Sequence, residues 1–449
     1  MKNKISGFFK DKSLRAQLMR GGLGSILVGI LGVGLSLAVS VLLARILGPK
    51  QYGIYALAFS IITIISVPTK LGLPQLVLRE TAKAHVVKQW GLMRGIWQWS
   101  TIAVCVFSTL TALIALIALT FIFFDSEKIT NLQSVIIVAL ILIPLISLAN
   151  LRDGALKGLK HVVLGQLTES IIRPLFFVVM LLTLYYGFDV MSPIYAMGAQ
   201  ALSAMLAFLL GVGLLFYARP VQLKSQPICV YRTKEWMGAA LPLAMISGMQ
   251  IINSQADIIM LGFFRSPEEV GIYKIVVTGS GLVAFGLQVV SMVVAPHFAS
   301  LHASGEIKKL QKLVTQSAKV TLLIALPTFI LLALFGELLI EFVFGSEYIA
   351  GYLPLAILAF GQLINALIGN VGLLLNMSGN EKETMRGLFI AVVSNIVLNV
   401  LLIPTFGIVG AAIATAITFI VWNLILRRAV LKKLNIEPVA FGFNRFNEH

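Results

Sequence analysis

The chain is poor in charge, in histidine and in cysteine, and each shortage excludes something. Asp, Glu, Lys and Arg make up only 12% of the residues against 58% hydrophobic, a balance that excludes an ordinary soluble globular domain. Two cysteines, Cys105 in an apolar run and Cys229 in a polar connection, build no disulfide framework. Of the five histidines, His85, His161, His297 and His302 lie at the ends of apolar runs and His449 is the last residue. None belongs to a His-Glu-x-x-His pattern, and no Cys/His cluster has metal-ligand spacing. No Gly-rich loop runs into Lys-Ser/Thr, so the chain carries no motif for driving work with ATP. No cofactor or metal is expected, and no enzymatic activity.

What the sequence has in abundance is apolar length. A bilayer core of roughly 30 Å is crossed by about 20 apolar residues in a helix. Twelve such runs occur, at 21–46, 52–73, 95–124, 131–151, 163–187, 192–217, 237–264, 270–296, 317–343, 350–377, 386–404 and 407–429. In lipid each must satisfy its own backbone hydrogen bonds, so an all-α polytopic membrane protein with 12 transmembrane helices is expected.

The formal net charge of +16 suggests nucleic acid until its distribution is considered. Lys and Arg gather at 1–20, 79–94, 152–160, 219–234, 308–319, 382–386 and after 426. With the N-terminus inside, all of these lie on one face. The opposite loops hold only Arg45, Lys50, Lys128 and Arg265, beside Asp125, Glu127, Asp189, Glu268, Glu269 and Glu347. This is the positive-inside pattern, and it places both termini in the cytoplasm. Anionic membrane lipid accounts for the basic excess, so no nucleic-acid partner is expected. Residues 1–20 are basic and partly amphipathic, with no cleavage signal, and are expected to form a helix on the inner surface.

One short pattern occurs twice. Pro49, Gly53, Ile54 and Tyr55 recur without a gap as Pro267, Gly271, Ile272 and Tyr273. Each copy joins the end of one run to the start of the next, and six runs separate them. An even number restores orientation, so the halves are parallel repeats. The expected organisation is an N-terminal segment 1–20, a first six-helix lobe 21–217, a cytoplasmic linker 218–236, a second lobe 237–430 and a cytoplasmic tail 431–449. Span 1 is rich in small residues, Gly21 to Ser40, which permits close helix packing or sliding. Pro68, Pro144, Pro174, Pro242 and Pro327 permit kinks.

A charge at the bilayer centre costs about 2.5–3.5 kcal/mol on insertion scales, so each one needs a reason. Glu169 and Arg173 lie one turn apart in span 5 and share a helix face with Gln166. They read either as a self-neutralising pair or as a cavity-lining cation with a carboxylate that tunes it or carries a proton. Lys70 follows Pro68 in span 2, Lys274 lies one turn into span 8, and Arg45 ends span 1. Each reads as an interfacial side chain or as part of a cationic cavity for an anionic substrate. Span 7 carries Ser247, Gln250, Asn253, Ser254 and Asp257 on one face. Asp257 reads either as a hydrogen-bonded or outer-interface carboxylate or as a candidate for binding a proton or cation, and Gln250, Asn253 and Ser254 are candidate cavity-lining groups. Gln362, Asn365, Asn395 and Asn399 form weaker polar faces that read as helix glue.

Leu43-Ala44-Arg45-Ile46-Leu47-Gly48-Pro49 followed by Tyr52-Gly53-Ile54-Tyr55-Ala56 resembles the opening of polysaccharide transporters, the oligosaccharide flippases of the multidrug/oligosaccharidyl-lipid/polysaccharide (MOP) superfamily. The second half is similar, with Asp257 to Gly262, then Glu269-Val270-Gly271-Ile272-Tyr273. Pro296 to Lys308 and Phe335 to Tyr348 resemble two further connections of that family. The resemblance implies two six-helix lobes in a MATE-like V around a central cavity. It implies a polyprenyl-pyrophosphate-linked oligosaccharide as substrate, such as an O-antigen repeat unit for lipopolysaccharide, moved across the cytoplasmic (inner) membrane. Polymerase and assembly proteins would be partners, with H+ or Na+ as candidate coupling ions. The alternative is a MATE-type cation-coupled drug or metabolite antiporter. Such proteins often carry an acidic residue in span 1, and this chain has none there.

Overall fold

The computed structural model describes residues 14–122, 130–188, 191–223 and 229–440. Within them the chain is helical, with no strand. Residues 1–13 of the expected surface helix, the loop charges Asp125, Glu127, Lys128 and Asp189, residues 224–228 of the expected linker and residues 441–449 of the expected tail lie outside the described residues. From Leu14 onward the chain is already in the first helix.

In chain order the α-helices are α1 Leu14–Ile65, α2 Val67–Lys70, α3 Leu73–Val87, α4 Trp90–Ile122, α5 Thr130–Ala139, α6 Leu142–Gly158, α7 Val162–Leu167, α8 Arg173–Phe188, α9 Pro193–Ala218, α10 Thr233–Phe264, α11 Pro267–Ala303, α12 Ile307–Val343, α13 Tyr352–Ile368, α14 Val371–Met377 and α15 Glu381–Leu434. Among the described residues, nine helices are long and apolar enough to cross a membrane. Large side chains such as Ile114, Phe121, Leu323 and Phe342 stand on their outer surfaces, as lipid-facing positions require. The protein is a multi-pass membrane protein.

Nine helices and twelve expected runs differ for local reasons. α1 covers two runs because helix resumes beyond Gly48, whose φ of 71° and ψ of 170° break it just before Pro49. α15 covers two more, broken at Gly407 with φ 55° and ψ −131°. Both backbone conformations are ones that glycine adopts without a Cβ penalty. α10 covers the run 237–264 and is not among the nine, its apolar content diluted by the polar stripe from Ser247 to Asp257. The run 350–377 is two helices, α13 and α14, separated at Gly369. The run 131–151 is likewise split, between α5 and α6. Pro144 has no N–H for the carbonyl of Leu140, so the ladder stops there. Pro242 and Pro327 stay inside continuous helices.

The described chain divides into two compact units. The first takes the residues up to Val39, Ile65–Val190 and Ile194–Ser247; the second takes Ser40–Ile64, Met191–Pro193 and the residues from Gly248 on. The core of the first gathers Leu76, Ile96, Leu151, Trp236 and Ala240 from α3, α4, α6 and α10. Gly72, at φ 65°, brings the turn before α3 onto α10, where a Cβ would stand 2.5 Å from the nitrogen of Ala244. The core of the second gathers Phe298, Leu310, Leu375, Leu426 and Ile436. After Asn435 turns the chain at φ 53°, residues 436–440 fold back onto this core, with Ile436 and Ala440 fully buried. Arg427 grips Glu437 through two hydrogen bonds, at 2.7 and 3.1 Å.

The two copies of the sequence repeat meet inside the second unit. A Cβ on Gly53 would lie 1.7 Å from the carbonyl oxygen of Pro267, and one on Gly271 would lie 2.0 Å from that of Pro49. Each copy's glycine thus receives the other copy's proline carbonyl. Only glycine permits so close a backbone approach, and the reciprocity explains why the pattern is kept in both copies. Ser266 caps α11 by accepting from the Glu269 N–H at 3.3 Å, with Pro267 in the first turn.

Candidate functional site

The first unit carries a polar cluster around the half-buried Glu169. Helix α7 passes into α8 through a π-helical turn, Thr168–Ile172. The wider turn places Thr168 and Glu169 together toward α6, an arrangement that π-bulges make available at functional positions. From α6, Arg152 donates to Thr168 Oγ1 at 2.6 Å and to Glu169 Oε1 at 3.0 Å. Its other terminal nitrogen reaches the carbonyls of Ala207 and Phe208 on α9 at 3.2 and 3.3 Å. From α8, Arg173 donates to Glu169 Oε2 at 3.3 Å. One carboxylate therefore holds two guanidinium groups, and the cluster keeps a net positive charge.

Gly211 on α9 leaves room for Arg152: a Cβ there would stand 1.9 Å from the guanidinium. Gly32 on α1 lies against Ser170, where a Cβ would be 2.9 Å from the serine Cβ, so a glycine of the small-residue run does permit close packing. Lys70 ends α2, half-buried and within electrostatic reach of Arg173. Beside it Thr69 and Ser147 share a hydrogen bond of 2.6 Å. Gln166 is half-buried, its Oε1 without a partner in the structure.

The second unit carries a different cluster. Asp257 on α10 is buried and accepts three hydrogen bonds from neutral groups. These are Asn399 Nδ2 to Oδ1 at 2.7 Å, and Tyr273 Oη at 3.0 Å and Thr415 Oγ1 at 2.5 Å to Oδ2. Asn399 also donates to Asn395 Oδ1 at 3.0 Å, and Asn395 to Thr415 Oγ1 at 3.2 Å. Among the described residues no cation pairs with Asp257; an oxygen-rich, closed nest surrounds it instead.

The remaining sequence candidates are scattered. Arg45 donates to the carbonyls of Phe342 and Val343, the latter at 2.9 Å, and so compensates the C-terminus of α12. Lys274 on α11 is half-buried, and no hydrogen bond or ion pair of its ammonium occurs among the described residues. Gln250 and Ser254 are exposed; Asn253 is half-buried with its Oδ1 unpartnered.

Arg152 escaped the sequence reading, which grouped it with the cytoplasmic cations of 152–160. The structure places its side chain 3% exposed within the first unit. Its position at the edge of the run 131–151 made its depth ambiguous, and nothing in sequence order ties it to Glu169. Tyr273 and Thr415 were missed as well. Asn395 and Asn399 were legible as one polar helix face, although their carboxylate partner was not.

Packed apolar helices with ionisable groups among them define a polytopic membrane fold. The comparisons make that class specific. A family model described as polysaccharide biosynthesis protein matches residues 18–302, and one described as MatE matches 242–401. The chain belongs to the polysaccharide biosynthesis protein family. It is 26% identical to the probable low-salt glycan biosynthesis flippase Agl15 of Haloferax volcanii, over 90% of this chain and 81% of that one. It is 27% identical to the probable flippase AglR of the same organism, over 64% of this chain and 58% of the relative. Among solved structures, an inward-facing multidrug resistance MATE family transporter of the MOP superfamily aligns with a TM-score of 0.73 at 14% identity, covering 92% of this chain and 99% of that one. The lipid II flippase MurJ, in an inward closed conformation, aligns at 0.65 and 16% identity over 92% of this chain and 87% of that one. These likenesses establish the fold.

Proposed function

We propose that the protein is a flippase for a polyprenyl-pyrophosphate-linked oligosaccharide, carrying it from the cytoplasmic to the outer leaflet by alternating access. The observation that carries this reading is the net-cationic cluster of Arg152, Glu169, Arg173 and Lys70 within a membrane-embedded unit. An unpaired excess of positive charge there is costly unless an anion visits it. The similarity to Agl15 along most of both chains supports the same reading. In the first unit Lys70 and Arg173 would engage the pyrophosphate and Gln166 the sugar; in the second, Lys274 and Arg45 would be the cationic and Gln250, Asn253 and Ser254 the polar substrate contacts, while the polyprenyl tail stays in lipid. We assign the chain twelve spans in two six-span halves with cytoplasmic termini, in the cytoplasmic membrane. The halves would be 21–217 and 237–430, joined by 218–236. The cargo would be a surface-polysaccharide repeat unit of O-antigen type, handed to polymerase and assembly proteins.

The energetics agree in sign. A pyrophosphate carries about −2, and each unit charge crossing 100 mV is worth roughly 2.3 kcal/mol, so outward export of the anion runs downhill from a negative interior. Asp257 and Glu169 are the carboxylates through which an inward H+ or Na+ would add to this. Deleting the gene should strand lipid-linked glycan on the cytoplasmic leaflet, and normal surface glycan in a strain lacking any substitute flippase would refute the reading. Arg173→Ala should impair export while the protein still accumulates in the membrane.

The MatE match over 242–401 favours a second reading, a cation-coupled drug or metabolite antiporter. Raised drug resistance on expression, with cation-dependent uptake in vesicles and no glycan phenotype, would select it.

A further inference from the structure

The two arginines on Glu169 are held very differently. Arg152 is fixed: its side chain is 3% exposed, Thr168 and two α9 carbonyls hold it besides Glu169, and Gly211 is fitted against it. Its sequence neighbour Asp153 pairs with Lys157 at 2.5 Å and acts on Arg152 through space alone, which leaves Glu169 as the carboxylate hydrogen-bonded to Arg152. Arg173 is the looser partner. Its side chain is 16% exposed, and its polar contact in the structure is a single 3.3 Å bond to Glu169. A guanidinium has five N–H donors, so most of its capacity is unspent.

From this asymmetry we infer that Glu169 is a built-in competitor which the pyrophosphate of the substrate displaces from Arg173, and that Arg152 is the positioning residue that keeps Glu169 compensated when Arg173 lets go. The inference rests on the flippase reading and assigns regulation to its cationic cluster. A carboxylate left unpaired in a low-dielectric interior is costly. With Arg152 fixed on Oε1, releasing Arg173 from Oε2 strands no charge. Without Arg152, Glu169 has Arg173 as its remaining partner and holds it against the substrate. The resting cluster is thereby partly neutralised, yet it offers a dianion a full guanidinium on arrival.

The experiment measures binding of farnesyl pyrophosphate, a short polyprenyl pyrophosphate, to the full-length protein in nanodiscs. Arg173→Gln should weaken binding about tenfold or more, and Glu169→Gln should tighten it by about the same factor. Arg152→Gln should weaken it, and the double variant Arg152→Gln/Glu169→Gln should bind at least as tightly as the natural protein, a reversal of sign within one mutant cycle. A merely structural role for Arg152 predicts a double variant as weak as the single one, and that result overturns the inference. So does a Glu169→Gln protein that binds no tighter. If Arg152→Gln does not accumulate, Arg152→Lys takes its place and should retain most of the binding, because the charge on Oε1 persists; a loss as large as that of Arg173→Gln counts against the inference. Unchanged binding in Arg173→Gln refutes the cationic-site reading itself. Lost binding in Arg173→Gln without tightening in Glu169→Gln refutes only the displacement.

Discussion

The Glu169 and Asp257 clusters solve one problem in two ways. Each holds a carboxylate inside a membrane-embedded unit, Glu169 half-buried and Asp257 buried, where an uncompensated charge is costly. Glu169 is compensated by opposite charge, at 3.0 Å from Arg152 and 3.3 Å from Arg173. Asp257 is compensated by neutral donors, with Tyr273, Asn399 and Thr415 all within 3.0 Å. The first arrangement leaves an excess of positive charge that suits an anion. The second leaves an excess of negative charge that suits a proton or small cation. The chemical division of labour follows from the partners, since the carboxylates themselves are alike.

The comparison is broken most severely by Glu169→Gln. Removing this carboxylate takes from the buried Arg152 its hydrogen-bonded counter-charge, and a loss of about 3–5 kcal/mol is expected, read as a lowered thermal unfolding midpoint in detergent. Added farnesyl pyrophosphate should recover much of it. Asp257→Asn removes no partner's counter-charge, so its cost should be smaller, about 2 kcal/mol from the donor now facing an amide. Its larger effect should fall on cation-dependent transport, and equal midpoints for the two variants would erase the distinction. Gly211→Ala touches no charge yet crowds the Arg152 guanidinium, and should cost about 1–2 kcal/mol as overpacking. It should shift substrate binding in the direction of Arg152→Gln.

How much of this was legible in sequence varies by level. Helical class and membrane embedding were, because hydropathy sums along the chain and needs no partner. The Pro-Gly-Ile-Tyr repeat was visible too. That its copies cross reciprocally at Gly53 and Gly271 was not, since the contact spans more than two hundred residues of sequence. Glu169 and Arg173 were readable as a pair because they lie one turn apart on a single helix. Arg152 was not, because its meeting with Glu169 depends on how α6 is rotated against the π turn.

The smallest expected effect lies outside the nine candidate spans. His85 packs edge-on against Trp90, and burial, with Lys160 and His161 nearby, lowers its pKa below the usual histidine value of 6.5. The folded protein therefore binds fewer protons than the unfolded chain, and stability should fall slightly as pH drops through that value. His85→Gln should flatten that part of the pH profile of the unfolding midpoint and leave the two carboxylate clusters unchanged.

By itself, the sequence determined that this chain is a helical membrane protein with a short internal repeat. Those properties are sums and spacings along one dimension. Tertiary structure alone decided that Glu169 stands between two arginines while Asp257 stands among hydroxyls and amides. A side chain's partners depend on helix depth and rotation, which helices distant in the sequence fix for one another.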